Sequence, residues 1–106
     1  MMVQFACTLG ARLRGLADTS DFEGMLVLAP CCDIHTFTMR RPIDVAFVSR
    51  DGIVLESHRA VPPRKRLRNG KAALVIERFA SPDPWFSVGE AIELSCSRAR
   101  QNGERR

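Results

Sequence analysis

Short runs of apolar and β-branched residues, broken by Gly, Pro and Asp, recur along the whole chain. Val3 to Cys7 is the first such run and predicts a strand. Thr8 follows as an N-cap, and Leu9, Leu13 and Leu16 then recur at helical spacing, which predicts one short helix that Gly15 weakens or ends. Asp18 to Glu23 is polar and turn-like. Gly24 opens Met25-Leu26-Val27-Leu28-Ala29, apolar on both sides like a buried strand, and Pro30 ends it. Ile34 to Met39 alternates, with Ile34, Thr36 and Thr38 on one face and His35, Phe37 and Met39 on the other.

Arg50-Asp51-Gly52 separates Ile43–Ser49 from Ile53–Arg59, and Asp-Gly between apolar runs is a strong hairpin signal. In the first arm Ile43, Val45 and Phe47 share a face, and Asp44, Ala46 and Val48 share the other. Ala60 to Lys71 holds Pro62-Pro63 and five basic residues, so it reads as a loop or irregular edge. Ala72 to Phe79 predicts another strand, with Leu74 and Ile76 opposite Val75 and Glu77. Trp85 and Phe86 follow a turn at Ser81-Pro82-Asp83-Pro84 and are expected to cap the core. A last strand is expected from Ala91 to Cys96. Six or seven strands and one N-terminal helix predict a mainly β fold, a small sandwich or barrel.

The chain has 106 residues, which fits a single domain. Residues 1–96 are expected to form it, and residues 97–106 a basic, disordered tail. Of the formal charge of +4, the tail carries +3, so the body is nearly balanced. Within the body, Arg64, Lys65, Arg66, Arg68 and Lys71 form the one basic cluster. No aromatic residue is interleaved among them for base stacking, so a solvated loop is expected and nucleic acid is disfavoured as a partner. No apolar run approaches a membrane span and no signal peptide is evident, so a cytoplasmic protein is expected. Cys7, Cys31, Cys32 and Cys96 match no disulfide framework and are expected as reduced thiols.

From Cys31 to Phe47 the sequence reads Cys-Cys-Asp-Ile-His-Thr-Phe-Thr-Met-Arg-Arg-Pro-Ile-Asp-Val-Ala-Phe. The Cys, the Ile-His-Thr, the Met-Arg and the Pro-Ile-Asp-Val before Phe resemble the domain-of-unknown-function 192 family. Arg14-Gly15-Leu16, Gly24-Met25-Leu26, Asp51-Gly52, Ile76-Glu77 and Val88-Gly89-Glu90 follow the same pattern in order. The resemblance covers about residues 5 to 95. It implies a compact β-sandwich or barrel and no particular reaction. One departure concerns the glycine that relatives often carry soon after the Glu-containing strand. Here Glu77 is followed by Arg78-Phe79-Ala80-Ser81-Pro82.

The polar positions shared with that pattern are Arg14, His35, Thr36, Arg40, Asp44 and Glu77, with Cys31 nearby. Asp44 and Glu77 stand inside apolar strands, where a buried charge needs a partner. Arg14 and Arg40 are the expected partners, since a guanidinium bonds a carboxylate in bidentate fashion. The group reads either as a ligand site with His35 as its titratable member or as an ion pair fixing strand register. Cys31, Cys32, His35 and His58 lack the paired spacing of a zinc site, and no cofactor motif is present. The expected function is a non-catalytic accessory module that binds a small polar ligand or a protein near His35, Thr36, Arg40 and Asp44. The alternative is a small hydrolase-like enzyme using His35 with Cys31 or Asp44.

Overall fold

The computed structural model describes residues 2–6 and 24–93. Seven strands run in chain order: β1 (Met2–Ala6), β2 (Gly24–Leu28), β3 (Asp33–His35), β4 (Ile43–Ser49), β5 (Val54–Val61), β6 (Arg66–Arg68) and β7 (Ala72–Phe79). Five of them form one sheet in the order β1-β2-β7-β4-β5, and β3 pairs with β6 in a separate two-stranded ribbon. Among the described strands only β1 and β2 run parallel, and every other pairing is antiparallel. The fold is thus mainly β, as the alternation predicts. The helix expected after Thr8 and the tail at 97–106 lie outside the described residues, and no helix occurs among those described. No helix of the described residues is long and apolar enough to cross a membrane.

β4 lies between β7 and β5 with both of its faces covered, so Ile43 to Val48 are all buried. This matches a strand that is apolar on its two sides except at Asp44. Odd-numbered Ile43, Val45 and Phe47 join Leu26, Leu28, Val75 and Phe79 in one apolar layer. The ribbon lies over that layer, with Ile34 and Leu67 packed into it. Even-numbered Ala46 and Val48 join Val27, Val54 and Ile76 on the opposite face, and Trp85, Phe86 and Ile92 cover them. Burying the larger of these side chains stabilises the fold by about 1.5–3 kcal/mol each.

The Asp-Gly hairpin forms as expected. Gly52 has φ +85°, its N–H donates to the Ser49 carbonyl at 2.9 Å, and Ser49 N–H donates to Ile53 O at 2.9 Å. The turn is also clasped from outside, because Ile92 N–H donates to Gly52 O at 2.7 Å and Ile53 bridges to Ala91. Of the last strand expected from Ala91, only this bridge falls among the described residues.

Two expectations are corrected. The alternating run Ile34–Met39 is a strand only to His35, and residues 37–38 form a turn. Met39 N–H then donates to Thr36 O, and Met39 is buried rather than sharing an exposed face with His35 and Phe37. The segment read as a loop or irregular edge at 60–71 holds the end of β5 and all of β6, whose three residues are too few to show a period.

Candidate functional site

Asp44 is buried on the face covered by Trp85 and takes its partners from strands that sequence alone does not place beside it. Arg78, opposite it on β7, donates Nε to Asp44 Oδ2 at 2.8 Å. Ala60 N–H donates to Oδ1 at 2.9 Å, and Arg59 Nε stands 3.6 Å from the same oxygen. Ala60 has φ +53° at an irregularity in the β4–β5 register, so the carboxylate holds that kink in place. Arg78 is itself held on all three nitrogens: it also donates to the carbonyls of Asp83 and Pro84 and lies 4.5 Å from the Trp85 ring centroid. The expected partner Arg40 is exposed and makes no ion pair among the described residues. Arg14 lies outside the described residues.

Glu77 sits one register step away, opposite Val45, and so projects into the other apolar layer. It is 2% exposed, and its Oε1 has no hydrogen-bond partner among the described residues. Burial pushes its carboxyl up to about 7, because loss of water disfavours the charged form.

Thr36 is buried, and its hydroxyl is a tie rather than a surface group. It accepts from Lys65 N–H at 2.9 Å and donates to Pro62 O at 2.7 Å. Thr36 N–H donates to Lys65 O, and Arg64 N–H donates to Thr36 O. These bonds pin the start of the basic segment against the end of β3. His35 and Phe37 flank Thr36 and are exposed, with their rings stacked at 5.2 Å and 25°.

Cys31 packs against the layer beneath the ribbon, whereas His35 faces outward. A thiol–imidazole dyad is therefore not assembled by these two residues. His58 accompanies Glu56 instead, with Nε2 2.8 Å from Oε1, while Asn69 donates to Glu56 Oε2 at 2.7 Å. The His58 hydrogen bond holds the Glu56 carboxyl below its ordinary value. Ser57 turns to the opposite face and donates to Phe86 O at 2.6 Å, away from His58. Among the described residues no three His, Cys, Asp or Glu side chains converge on one point.

The ribbon brings together what the chain separates. Its register places Asp33 opposite Arg68 and His35 opposite Arg66, so these four side chains share its outer face. Asp33 takes Arg66 in a two-point ion pair, with Nε to Oδ1 at 3.0 Å, which holds the Asp33 carboxyl below its ordinary value. Arg64, Lys65, Arg68 and Lys71 are exposed and make no ion pair with the described residues. Beside the Asp33 end of the ribbon lies an open concavity of about 800 Å³, lined by Cys31, Cys32, Asp33, Arg50, Lys71 and Ala72 among others. Phe37, Arg78, Arg59 and Arg50 were all missed by sequence reasoning as members of a site. Only Phe37 had a signal, its alternation with His35.

The profile of the domain-of-unknown-function 192 family, described as "Uncharacterized ACR", matches residues 1–102. The chain belongs to that family. Comparison with curated proteins finds no match. Among solved structures, a protein of unknown function from Novosphingobium aromaticivorans DSM 12444 superposes with a TM-score of 0.66 at 18% identity, over 74% of this chain and 62% of its own. A Sinorhizobium meliloti 1021 protein, provisionally named a transcription regulator, superposes with a TM-score of 0.64 at 18% identity, over 74% of this chain and 67% of its own. These two share the fold. The segment that carries the DUF192 resemblance, residues 31–47, supplies the ribbon's first strand, the Thr36 tie and most of β4 with Asp44. Much of it therefore builds the frame on which the exposed residues are mounted.

Proposed function

We propose that this domain is a non-catalytic binding module for an anionic partner, and that its contact face is the outer side of the β3–β6 ribbon. One observation carries the reading: the exposed His35–Phe37 stack is fixed by Thr36 beside Arg64 and Lys65, cations with no carboxylate partner among the described residues. Unpaired cations on a pinned backbone lose little freedom on binding, which favours capture of an anion. The separation of Cys31 from His35 and the saturation of Asp44 count against the thiol or His-carboxylate enzyme.

Titration with long-chain inorganic polyphosphate, followed by amide chemical shifts at physiological salt, tests this reading. Shifts confined to residues 33–37 and 64–71 are expected, and Arg64→Glu with Lys65→Glu should abolish them. Absence of shifts at millimolar phosphate, or shifts only elsewhere, would overturn it. The concavity favours a second reading, a small anion held by Arg50 and Lys71. Saturable shifts at residues 30–33, 50 and 71–73 with pyrophosphate would mark that outcome.

A further inference from the structure

The basic segment 64–71 contains no aromatic residue, yet pairing of β6 with β3 lays an exposed aromatic pair against it. Phe37 is 57% exposed, and its ring stacks on His35, whose strand partner is Arg66. We infer that the partner of this face is a single-stranded nucleic acid, with an unpaired base stacking on the Phe37–His35 pair and its flanking phosphates meeting Arg64, Lys65 and Arg68. The inference rests on the binding reading above and names the class of polymer it takes.

Three features converge on that class. A large aromatic ring left in water offers a face to another flat ring, and base–aromatic stacking is tolerant of sequence. The cations stand on the backbone adjoining the ring: Arg64 N–H and Lys65 N–H both bond Thr36, the residue between His35 and Phe37. The charge next to the aromatic pair is therefore set in place by the fold. Finally, Asp33 neutralises Arg66 but leaves Arg68, its own register partner, unpaired, so positive charge continues along the ribbon toward Lys71 and Arg50. A duplex keeps its base faces stacked within itself and could use only the charges. A polyanion without bases, such as polyphosphate, could use no more than the same charges. Only an unpaired strand uses both the ring and the cations.

The test uses the full chain and three probes: fluorescein-labelled dT12, the same length of blunt duplex, and long-chain polyphosphate. The sequence ends in four further arginines, at 98, 100, 105 and 106, so attraction to polyanions alone decides nothing. The decisive variant is Phe37→Ala, whose exposed side chain contributes little to folding and whose fold is checked by its amide spectrum. Phe37→Ala is expected to weaken dT12 binding about tenfold while leaving polyphosphate affinity unchanged, and Phe37→Trp is expected to restore it with quenching of the new indole. The logarithm of dT12 affinity should fall with the logarithm of salt at a slope of about −2 for three phosphate contacts, and Arg64→Glu with Lys65→Glu should flatten it. Equal weakening of dT12 and polyphosphate by Phe37→Ala, or a duplex bound as tightly as dT12, would overturn the nucleic-acid assignment while the anionic face stands. Failure of dT12 and polyphosphate alike to shift residues 33–37 and 64–71 would overturn both.

Discussion

Asp44 and Glu77 stand on neighbouring strands one register step apart, yet their carboxylates leave the sheet on opposite faces. Asp44 meets Arg78, Arg59 and the Ala60 amide; Glu77 meets an apolar layer. Two acids that look alike in the sequence thus have opposite energetics, and each makes its own prediction.

Removing the Asp44 carboxylate strands a buried guanidinium. Asp44→Ala is expected to destabilise the domain by about 3 kcal/mol, because Arg78 keeps its charge and loses its counter-ion. Urea unfolding should show a lower midpoint with an unchanged slope. A loss smaller than about 0.5 kcal/mol, the scale of an ordinary surface change, would show that the pair contributes nothing.

Glu77 makes stability fall as pH rises. Its carboxyl titrates near 7 in the folded chain against an ordinary 4.5, so the native state holds the proton more tightly than the unfolded state does. Below about pH 4.5 the group is neutral in both states, and the penalty accumulates between 4.5 and 7 and then levels off. At about 1.4 kcal/mol per pKa unit the full span amounts to roughly 3 kcal/mol. Glu77→Gln should therefore gain on the wild type between pH 4 and pH 8, as read by unfolding midpoints across that range. A constant difference between the two proteins would refute the assignment.

Thr36 should matter out of proportion to its size. Thr36→Val keeps the shape but leaves Lys65 N–H and Pro62 O without their hydroxyl partner, which should cost about 1–3 kcal/mol. Amide exchange at Lys65 and Arg64 should quicken in the variant, because the tie that orders them is gone. Unaltered exchange there would mean that the segment is ordered by other contacts.

Gly52 cannot carry a side chain. A Cβ at this position would lie 2.6 Å from Ile92 O, on a backbone at φ +85°. Gly52→Ala is expected to destabilise by about 1–3 kcal/mol through strain alone. Its amide shifts should concentrate at Ile53, Glu90 and Ile92, and a variant as stable as the wild type would count against the clasp.

The hairpin was legible because Asp-Gly and the alternation of Ile43 to Val48 are local signals. The two inward carboxylates were legible as anomalies in apolar strands. Their partners were not, because Arg78 reaches Asp44 only through the β4–β7 register, a relation 34 residues apart in the chain. Arg40 was nearer in sequence and chemically suited, but it lies in the exposed turn before β4. β6 escaped detection for a different reason. β3 falls within the alternating run read from Ile34, but the three residues of β6 carry too little alternation to be seen, and Pro62-Pro63 made the surrounding segment read as a loop or irregular edge. No aromatic residue lies within the basic cluster itself, and Phe37 stands near it only through the turn that follows β3.

β5 forms one margin of the five-stranded sheet, and it is not straight. The irregular register with β4 and the left-handed backbone at Ala60 break its repeat near its end, and its start at Val54 is already bonded to Gly89 and Glu90. A second copy seeking to extend the sheet there would find donors and acceptors out of step with its own. The carboxylate of Asp44, by fastening that kink, also keeps this border of the sheet out of regular step.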